Sequence, residues 1–229
     1  MNVETIKNIP FELDEKQLIE EVHIRPASHD MDEFEGLLNL ARRTGKPKAT
    51  YTEAYVELSG ADVVLLNGIR FNSPMLYTNL STVERVFPFV ATCGHEMDLL
   101  TWEEDNLLKQ YWWDTIKASL LMSAYQYLHQ YLQNKYLLRK TATMSPGSGD
   151  VEVWPIEQQR ELFQLLGNVQ VQIGVVLTES YLMIPNKTIS GIYFPTEKDF
   201  RTCQVCHREN CPSRSAEFDQ ELWETILSS

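Results

Sequence analysis

The chain has 229 residues, of which 43% are hydrophobic, and a formal net charge of −12 at pH 7. This composition predicts a globular protein that buries a hydrophobic core in one large domain or two small ones. The negative charge excludes a nucleic-acid binder that works by bulk electrostatics, because duplex affinity comes largely from Lys and Arg replacing phosphate counterions.

The sequence carries no signal for membrane insertion or export. No stretch approaches the roughly 18 to 20 uninterrupted apolar residues that span a bilayer, and residues 1–15 lack a basic head followed by an apolar block. The four cysteines are unevenly placed, whereas a secreted disulfide framework usually spreads its pairs through a shorter chain. We therefore expect a cytoplasmic protein with neither a membrane nor a nucleic acid as partner.

The first ninety or so residues mix helices with short strands. Asp30 is a suitable helix cap, and Asn67-Gly68 is typical of a hairpin turn. The pattern predicts helices over 11–21 and 30–43, and strands over 50–57, 61–66, 69–71 and 86–92.

A long central helix is predicted at about 105–135. Its apolar residues recur at spacings of three, four and seven and form one stripe along the helix, made of Leu107, Tyr111, Ala118, Leu121, Tyr125, Leu128 and Leu132. This stripe is typical of a core helix. Trp112 and Trp113 flank it, so we expect at least one of them to pack elsewhere.

The second half begins with a loop at 145–150, followed by a helix from Pro155 to Gly167. Residues 175–184 and 187–194 are rich in Ile, Val, Thr and Tyr, which favours two antiparallel strands joined across Pro185-Asn186. Because strands and helices do not alternate regularly, the predicted class is α+β, with a twisted, mostly antiparallel sheet and flanking helices.

The loop Ser145-Pro-Gly-Ser-Gly-Asp150 is a candidate ligand-binding loop. Gly147 and Gly149 permit positive φ and remove side chains, so the loop can bring bare backbone groups against a small ligand. It lacks the Lys of a phosphate-binding loop. The alternative is an ordinary turn, since Pro and Gly are common turn residues.

The two segments that follow carry a specific resemblance. Leu177-Thr-Glu-Ser-Tyr-Leu-Met-Ile-Pro185 with Lys187-Thr-Ile-Ser-Gly-Ile-Tyr-Phe194 closely resembles the C-terminal activation domain of cobalamin-dependent methionine synthase. The loop Ser145–Gly149 lies upstream, as the Pro-Gly loop of that domain does. Phe89–Glu96 is similar to stand-alone members of the family. The resemblance covers roughly residues 87–194.

The resemblance implies a domain organisation and a function. Residues 1–200 would form the activation-domain-like α+β domain, although residues 1–85 resemble the family only in general character. Residues 201–229 would form a Cys-rich tail with a C-terminal helix. Members of the family bind S-adenosylmethionine and reductively methylate inactive cob(II)alamin. The cofactor supplies the chemistry, and the protein supplies binding and orientation.

The predicted protein is therefore a stand-alone reactivation subunit for a corrinoid methyltransferase such as methionine synthase. It would act as part of that methyltransferase activity rather than as a self-sufficient enzyme. The implied partners are the cobalamin-binding domain of the methyltransferase, which holds the cobalamin, and a flavodoxin-like or other one-electron reductase.

The resemblance also implies a binding site for S-adenosylmethionine. Its predicted residues are Ser145, Pro146, Gly147, Ser148, Gly149, Tyr193 and Phe194. Tyr193 and Phe194 are consecutive, so on a regular strand their side chains point to opposite faces, and a backbone contact with the ligand is the more plausible one.

The loop departs from the family pattern at two positions. Thr143 stands where the family has an Arg that grips the donor's carboxylate, and Ser148 stands where it has a Tyr. A neutral Thr cannot form the bidentate pair that a guanidinium provides. Arg139 and Lys140 lie nearby in the sequence. They would either take the role of the family's Arg or cap the C-terminal end of the long helix.

The tail contains a candidate metal site, Cys203-x-x-Cys206-His207-x-x-x-Cys211. Closely spaced thiolates bind Zn²⁺ or an iron–sulfur cluster, with His207, Cys93 or a non-protein ligand as the fourth ligand. The alternatives are free thiols and a redox pair.

The neutral Thr143 leaves a different class of function open. If S-adenosylmethionine binding has been lost, the chain would be a non-catalytic module that contacts a corrinoid protein, or a metal or redox relay. A third alternative is reuse of the fold for an unrelated ligand.

Overall fold

A computed structural model describes residues 2–25, 28–60, 62–100, 106–211 and 214–227. Within these ranges the α-helices are α1 Glu15–Glu21, α2 His29–Thr44, α3 Pro74–Leu80, α4 Leu107–Tyr136, α5 Gln159–Leu166, α6 Val169–Ile173 and α7 Gln220–Leu227. The strands are β1 Val3–Ile6, β2 Lys48–Thr52, β3 Ala54–Leu58, β4 Val63–Leu66, β5 Ile69–Asn72, β6 Arg85–Thr92, β7 Thr141–Met144, β8 Val176–Leu177, β9 Met183–Ile184 and β10 Thr188–Pro195. None of the helices described has the length and apolar character needed to cross a membrane.

The main sheet is built around β6. Strands β2 and β3 pair with β6 along one edge, and β10 pairs with it along the other. Strand β7 pairs with β10, and all of these pairings are antiparallel. The predicted α+β fold, with a mostly antiparallel sheet and one long helix, is confirmed.

Both faces of β6 are covered, which explains its unbroken apolar sequence. Phe87, Phe89 and Ala91 pack in a cluster with Leu128 of α4. Val90 points the other way and packs in a separate cluster that includes residues of α5 and α6. A strand buried on both sides has no polar alternation, so its sequence pattern alone does not reveal its neighbours.

The buried face of α4 differs from the predicted stripe. Leu107 is 71% and Tyr111 50% exposed, whereas the buried apolar residues of the helix are Trp112, Trp113, Ile116, Leu120, Ala124, Leu128 and Leu132. Trp112 and Trp113 both lie in one cluster with Phe34 of α2, whereas the buried stripe residues Leu128 and Leu132 lie in another. The first half of α4 packs against α2 in addition to the sheet, and the contact with α2 widens the buried face of α4.

Several predicted elements are corrected by tertiary pairing. The predicted strand 50–57 is two strands, interrupted at Glu53, and the first helix starts only at Glu15, where Asp14 caps it by accepting a hydrogen bond from the Gln17 amide. The predicted pairing of 175–184 with 187–194 is wrong. The chain reverses at Tyr181, so β8 pairs with β9, while β10 pairs with β6 and β7. The strands β1 and β7 and the helices α3 and α6 were not predicted.

The C-terminal segment packs onto the same core as the strands. Val205 and Ile226 belong to a buried cluster with Trp154 and Phe194. This contact holds the Cys-rich tail close to the end of β10.

Candidate functional site

The predicted loop and the predicted strand end lie next to each other. In the antiparallel ladder, Thr143 of β7 pairs with Tyr193 of β10, and Met144 pairs with Ile192. At Gly191 the approach is close: a Cβ there would lie 2.5 Å from the carbonyl oxygen of Met144 and 2.8 Å from Oγ of Ser145. The two segments are therefore in direct contact, with no open crevice between them.

The loop itself is packed against the chain that follows it. The Gly147 amide donates to the carbonyl oxygen of Trp154 at 3.0 Å, and the Ser148 amide donates to Ser145. Gly147 has φ +71°, and a Cβ there would lie 2.8 Å from that of Ile156. Gly147 is therefore required by the turn itself. Pro146 is buried, whereas Gly147 and Ser148 are exposed.

Tyr193 and Phe194 lie on opposite faces of the sheet, as alternation along a strand requires. Tyr193 is 2% exposed and packs in a cluster with Phe89 and Leu128. Phe194 is fully buried in the other cluster, with Trp154. The hydroxyl groups of Tyr193 and Thr141 lie 2.6 Å apart.

A cavity of about 380 Å³ opens on the α4 side of this ladder, and we call it the β7 cavity. Residues of α4, the two strands and the tail line it, among them Tyr125, His129, Thr143, Tyr193, Arg201 and Cys203. Ser145–Gly149 do not line it. Of the residues that the resemblance singles out, the cavity therefore joins Tyr193 and Thr143, whereas the loop lies outside it.

One wall of the β7 cavity is aromatic and uncharged. The ring of His129 lies between the rings of Tyr125 and Tyr193, with centroid separations of 3.9 Å and 4.2 Å. Burial lowers the pKa of His129 to about 4, so this imidazole is neutral at pH 7. Burial also raises the pKa of Tyr193 and of Tyr125. Such a wall suits a flat ring or a cation, which the faces of aromatic rings attract.

The His129 ring also holds an unused hydrogen-bonding group. Its Nε2 atom is buried and has no hydrogen-bond partner among the residues that the structure describes. Close by, the Tyr125 hydroxyl donates to Oγ1 of Thr143 at 3.3 Å. The hydroxyl pair gives this otherwise aromatic wall a polar position, and the buried His129 nitrogen is left unsatisfied by the described residues.

The rim of the β7 cavity carries a cation that sequence reasoning missed. Arg201 lines the cavity, and its guanidinium donates to the carbonyl oxygen of Ser215 at 2.6 Å. Lys140, considered as a substitute for the family's Arg, instead donates to the carbonyl oxygen of Glu197. Neither Lys140 nor Arg139 lines this cavity. No local signal pointed to Arg201, because only the packing of the tail brings it to β7.

Cys203 lies at the same rim. Its partial burial alone would raise its pKa, but hydrogen bonds from the Ser215 amide and hydroxyl outweigh this and lower the pKa of the thiol. Cys93 is the opposite case. It is fully buried in another cluster, and burial raises its pKa to about 12.

The described residues do not fit the predicted metal site. No group of three or more His, Cys, Asp or Glu side chains among them is placed to hold a metal ion. His207 instead lies 3.2 Å from Asp150 and stacks against Phe218 and Trp223. Cys93 lies in a different core cluster from the tail.

A family model matches part of the chain. Residues 116–212 match the model for the activation domain of vitamin B12 dependent methionine synthase. The match runs from α4 through β7, the loop and β10 to the tail cysteines.

A solved structure has the same fold over most of the chain. The crystal structure of the MetH reactivation domain bound to AdoHcy aligns with a TM-score of 0.56 and 14% identity, covering 88% of this chain and 81% of that one. At this identity the likeness establishes the fold. No curated protein sequence matches the chain.

Proposed function

We propose that this protein is the reactivation component of a corrinoid methyltransferase such as cobalamin-dependent methionine synthase, and that it binds S-adenosylmethionine in the β7 cavity. One observation carries the proposal: Thr143 and Tyr193, two positions to which the family resemblance points, pair across one ladder and line the same cavity. A volume of about 380 Å³ lies within the usual range for small-molecule sites.

The chain's own groups would bind and orient the donor. The aromatic wall formed by Tyr125, His129 and Tyr193 offers the adenine ring or the sulfonium an aromatic surface at the partly exposed Tyr125. Arg201 lines the same cavity as Thr143, which stands at the position of the family Arg, and a guanidinium is suited to a carboxylate. A neutral His129 places no positive charge beside the sulfonium.

The partner's cobalamin would supply the chemistry, namely methyl transfer from the donor coupled to one-electron reduction by a reductase, which would leave S-adenosylhomocysteine. The solved relative with the same fold was crystallised with AdoHcy, which supports a site for this product. The corrinoid methyltransferase and the one-electron reductase are proposed as the partners of this protein.

The test is a calorimetric titration of the full chain with S-adenosylmethionine and with S-adenosylhomocysteine. We expect binding that Tyr125→Leu weakens about fivefold, since a stacked aromatic contact is worth on the order of 1 kcal/mol beyond its area burial. Tyr111→Leu is the matched control, because Tyr111 lies on the same helix but is half exposed and outside the cavity. No heat of binding at millimolar ligand would refute the proposal.

A second variant tests the departure from the family pattern. Thr143→Arg places a guanidinium where the family has one, and we expect it to tighten binding. If wild-type chain and Thr143→Arg both fail to bind, the second candidate gains. This is a corrinoid-protein interaction or redox module, favoured by the neutral Thr143 and by the hydrogen bonds from Ser215 that lower the pKa of the Cys203 thiol.

A further inference from the structure

The guanidinium group of Arg214 cross-links the Cys-rich tail. Arg214 donates to the carbonyl oxygens of Cys203 at 3.2 Å, Cys206 at 2.9 Å, Arg208 at 2.6 Å and Ala216 at 3.0 Å. A cation supplied by the chain itself thus cross-links the segment that was predicted to be organised by a metal. The thiol groups are left free for another role.

Two of these thiols belong to one tight turn. The Cys206 amide donates to the carbonyl oxygen of Cys203 at 3.4 Å, at the end of a short 3₁₀ turn. Such a turn keeps its end Cα atoms within ~7 Å, and disulfides join Cα atoms roughly 4.4 to 6.8 Å apart. Arg214 binds both carbonyls, so it restrains the backbone of this turn.

The surroundings of Cys203 suit a thiol that reacts. Its Sγ accepts hydrogen bonds from the Ser215 amide at 3.4 Å and the Ser215 hydroxyl at 3.5 Å. Donors directed at sulfur stabilise the thiolate, which is the attacking form. Cys203 is partly exposed and lines the β7 cavity beside Tyr193. Cys93, by contrast, is closed off from solvent.

We propose that Cys203 and Cys206 form a reversible thiol–disulfide site at the rim of the β7 cavity. The oxidant is a low-molecular-weight disulfide such as oxidised glutathione. The thiolate of Cys203 attacks one of its sulfur atoms, forming a mixed disulfide and releasing one glutathione. The sulfur of Cys206 then displaces the second glutathione as the Cys203–Cys206 bond forms. Two electrons pass to the glutathione disulfide, and the two thiol protons end on the released glutathione thiols.

The site is independent of the proposed function, because neither S-adenosylmethionine nor a corrinoid takes part in the exchange. The new bond would draw Sγ of Cys203 away from Ser215, which also lines the cavity. The redox state of the tail would thereby change the rim of the cavity.

The test uses the full chain, equilibrated without oxygen in mixtures of reduced and oxidised glutathione, quenched with an alkylating agent and mapped by peptide mass spectrometry. We expect the Cys203–Cys206 disulfide as the main oxidised product, reversed by reduced glutathione, with Cys93 unmodified in the native protein. Alkylation of Cys203 should exceed that of Cys93 at least about tenfold, because thiolate availability and exposure control the rate.

Matched serine variants separate the alternatives. In Cys206→Ser, the intramolecular disulfide is lost and a mixed disulfide with glutathione accumulates on Cys203. In Cys211→Ser, the Cys203–Cys206 bond is retained. Near-ultraviolet circular dichroism of each variant confirms that the fold is intact.

Three results would overturn the proposal. The first is a main disulfide that includes Cys211, and the second is no oxidation of Cys203 while the native fold persists. The third is one equivalent of zinc or iron in protein purified without oxygen that Cys203→Ser loses, since thiols that ligate a metal are not free to exchange.

Discussion

Gly191 is where β10 and β7 approach most closely, and Gly191→Ala tests that contact. Its added Cβ would lie 2.5 Å from the Met144 carbonyl oxygen, a backbone atom that cannot rotate away. Non-bonded heavy atoms are most stable near ~3.5 Å, so β7 would have to move by roughly 1 Å. Gly191 has no positive φ, so the effect is steric.

The expected cost is that of overpacking a buried site, about 1 to 3 kcal/mol. For a chain of this length, ~2 kcal/mol lowers the melting temperature by roughly 4 to 8 °C. Since Thr143 of β7 lines the cavity, the displacement should also weaken any ligand bound there.

Gly36→Ala is the matched control, because it makes the same chemical change with the opposite expected sign. Gly36 lies inside α2, and nothing lies within 4 Å of its added Cβ. Ala is favoured over Gly in a helix by roughly 1 kcal/mol, so this variant should melt slightly higher. Thermal unfolding followed by circular dichroism compares both. A Gly191→Ala protein that melts no lower than wild type would show that β7 has room at this position.

Two pH dependences follow from buried groups and are measured by urea unfolding at a series of pH values. Burial lowers the pKa of His129 to about 4 from its ordinary value of 6.5, so the unfolded chain takes up a proton at a higher pH than the folded chain does. The free energy of unfolding should therefore fall as pH drops from 6.5 to 4. His129→Phe should flatten this slope, and an unchanged slope would contradict the burial of His129. Burial would raise the pKa of Glu96, but Lys48 lies 2.6 Å away and lowers it. The contribution of Glu96 to the free energy of unfolding is therefore present above pH 4.5 and is lost as pH falls below that value. Glu96→Gln should remove this loss of stability, and a variant that still shows it would place the titration elsewhere.

Long periodic segments were predicted well because their signal is local. Helix α4 spans most of the predicted range, since its helix-forming residues and spacing act within a few turns. Its buried face was misjudged at the first turns, where Leu107 and Tyr111 are exposed. There the packing partner α2 decides which side is covered, and periodicity carries no information about a partner.

The short strands show the opposite limit. Strand β7 has four residues and a mixed sequence, Thr-Ala-Thr-Met, and it exists as a strand because β10 supplies its hydrogen-bond partners. Residues 175–184 are rich in strand-forming residues, yet only Val176–Leu177 and Met183–Ile184 pair. β-propensity depends on the neighbour that a strand finds, so the partner decides the outcome.

The sequence by itself determined the fold class, the long helix and the family resemblance of the second half, because these depend on local periodicity and on residue motifs such as Thr178-Glu-Ser180. Only the tertiary structure decided that Thr143, His129, Arg201 and Cys203 share one cavity. These residues come from a strand, a helix and a tail far apart in the chain. Side chains meet through packing and strand register, which are long-range contacts that no local pattern encodes.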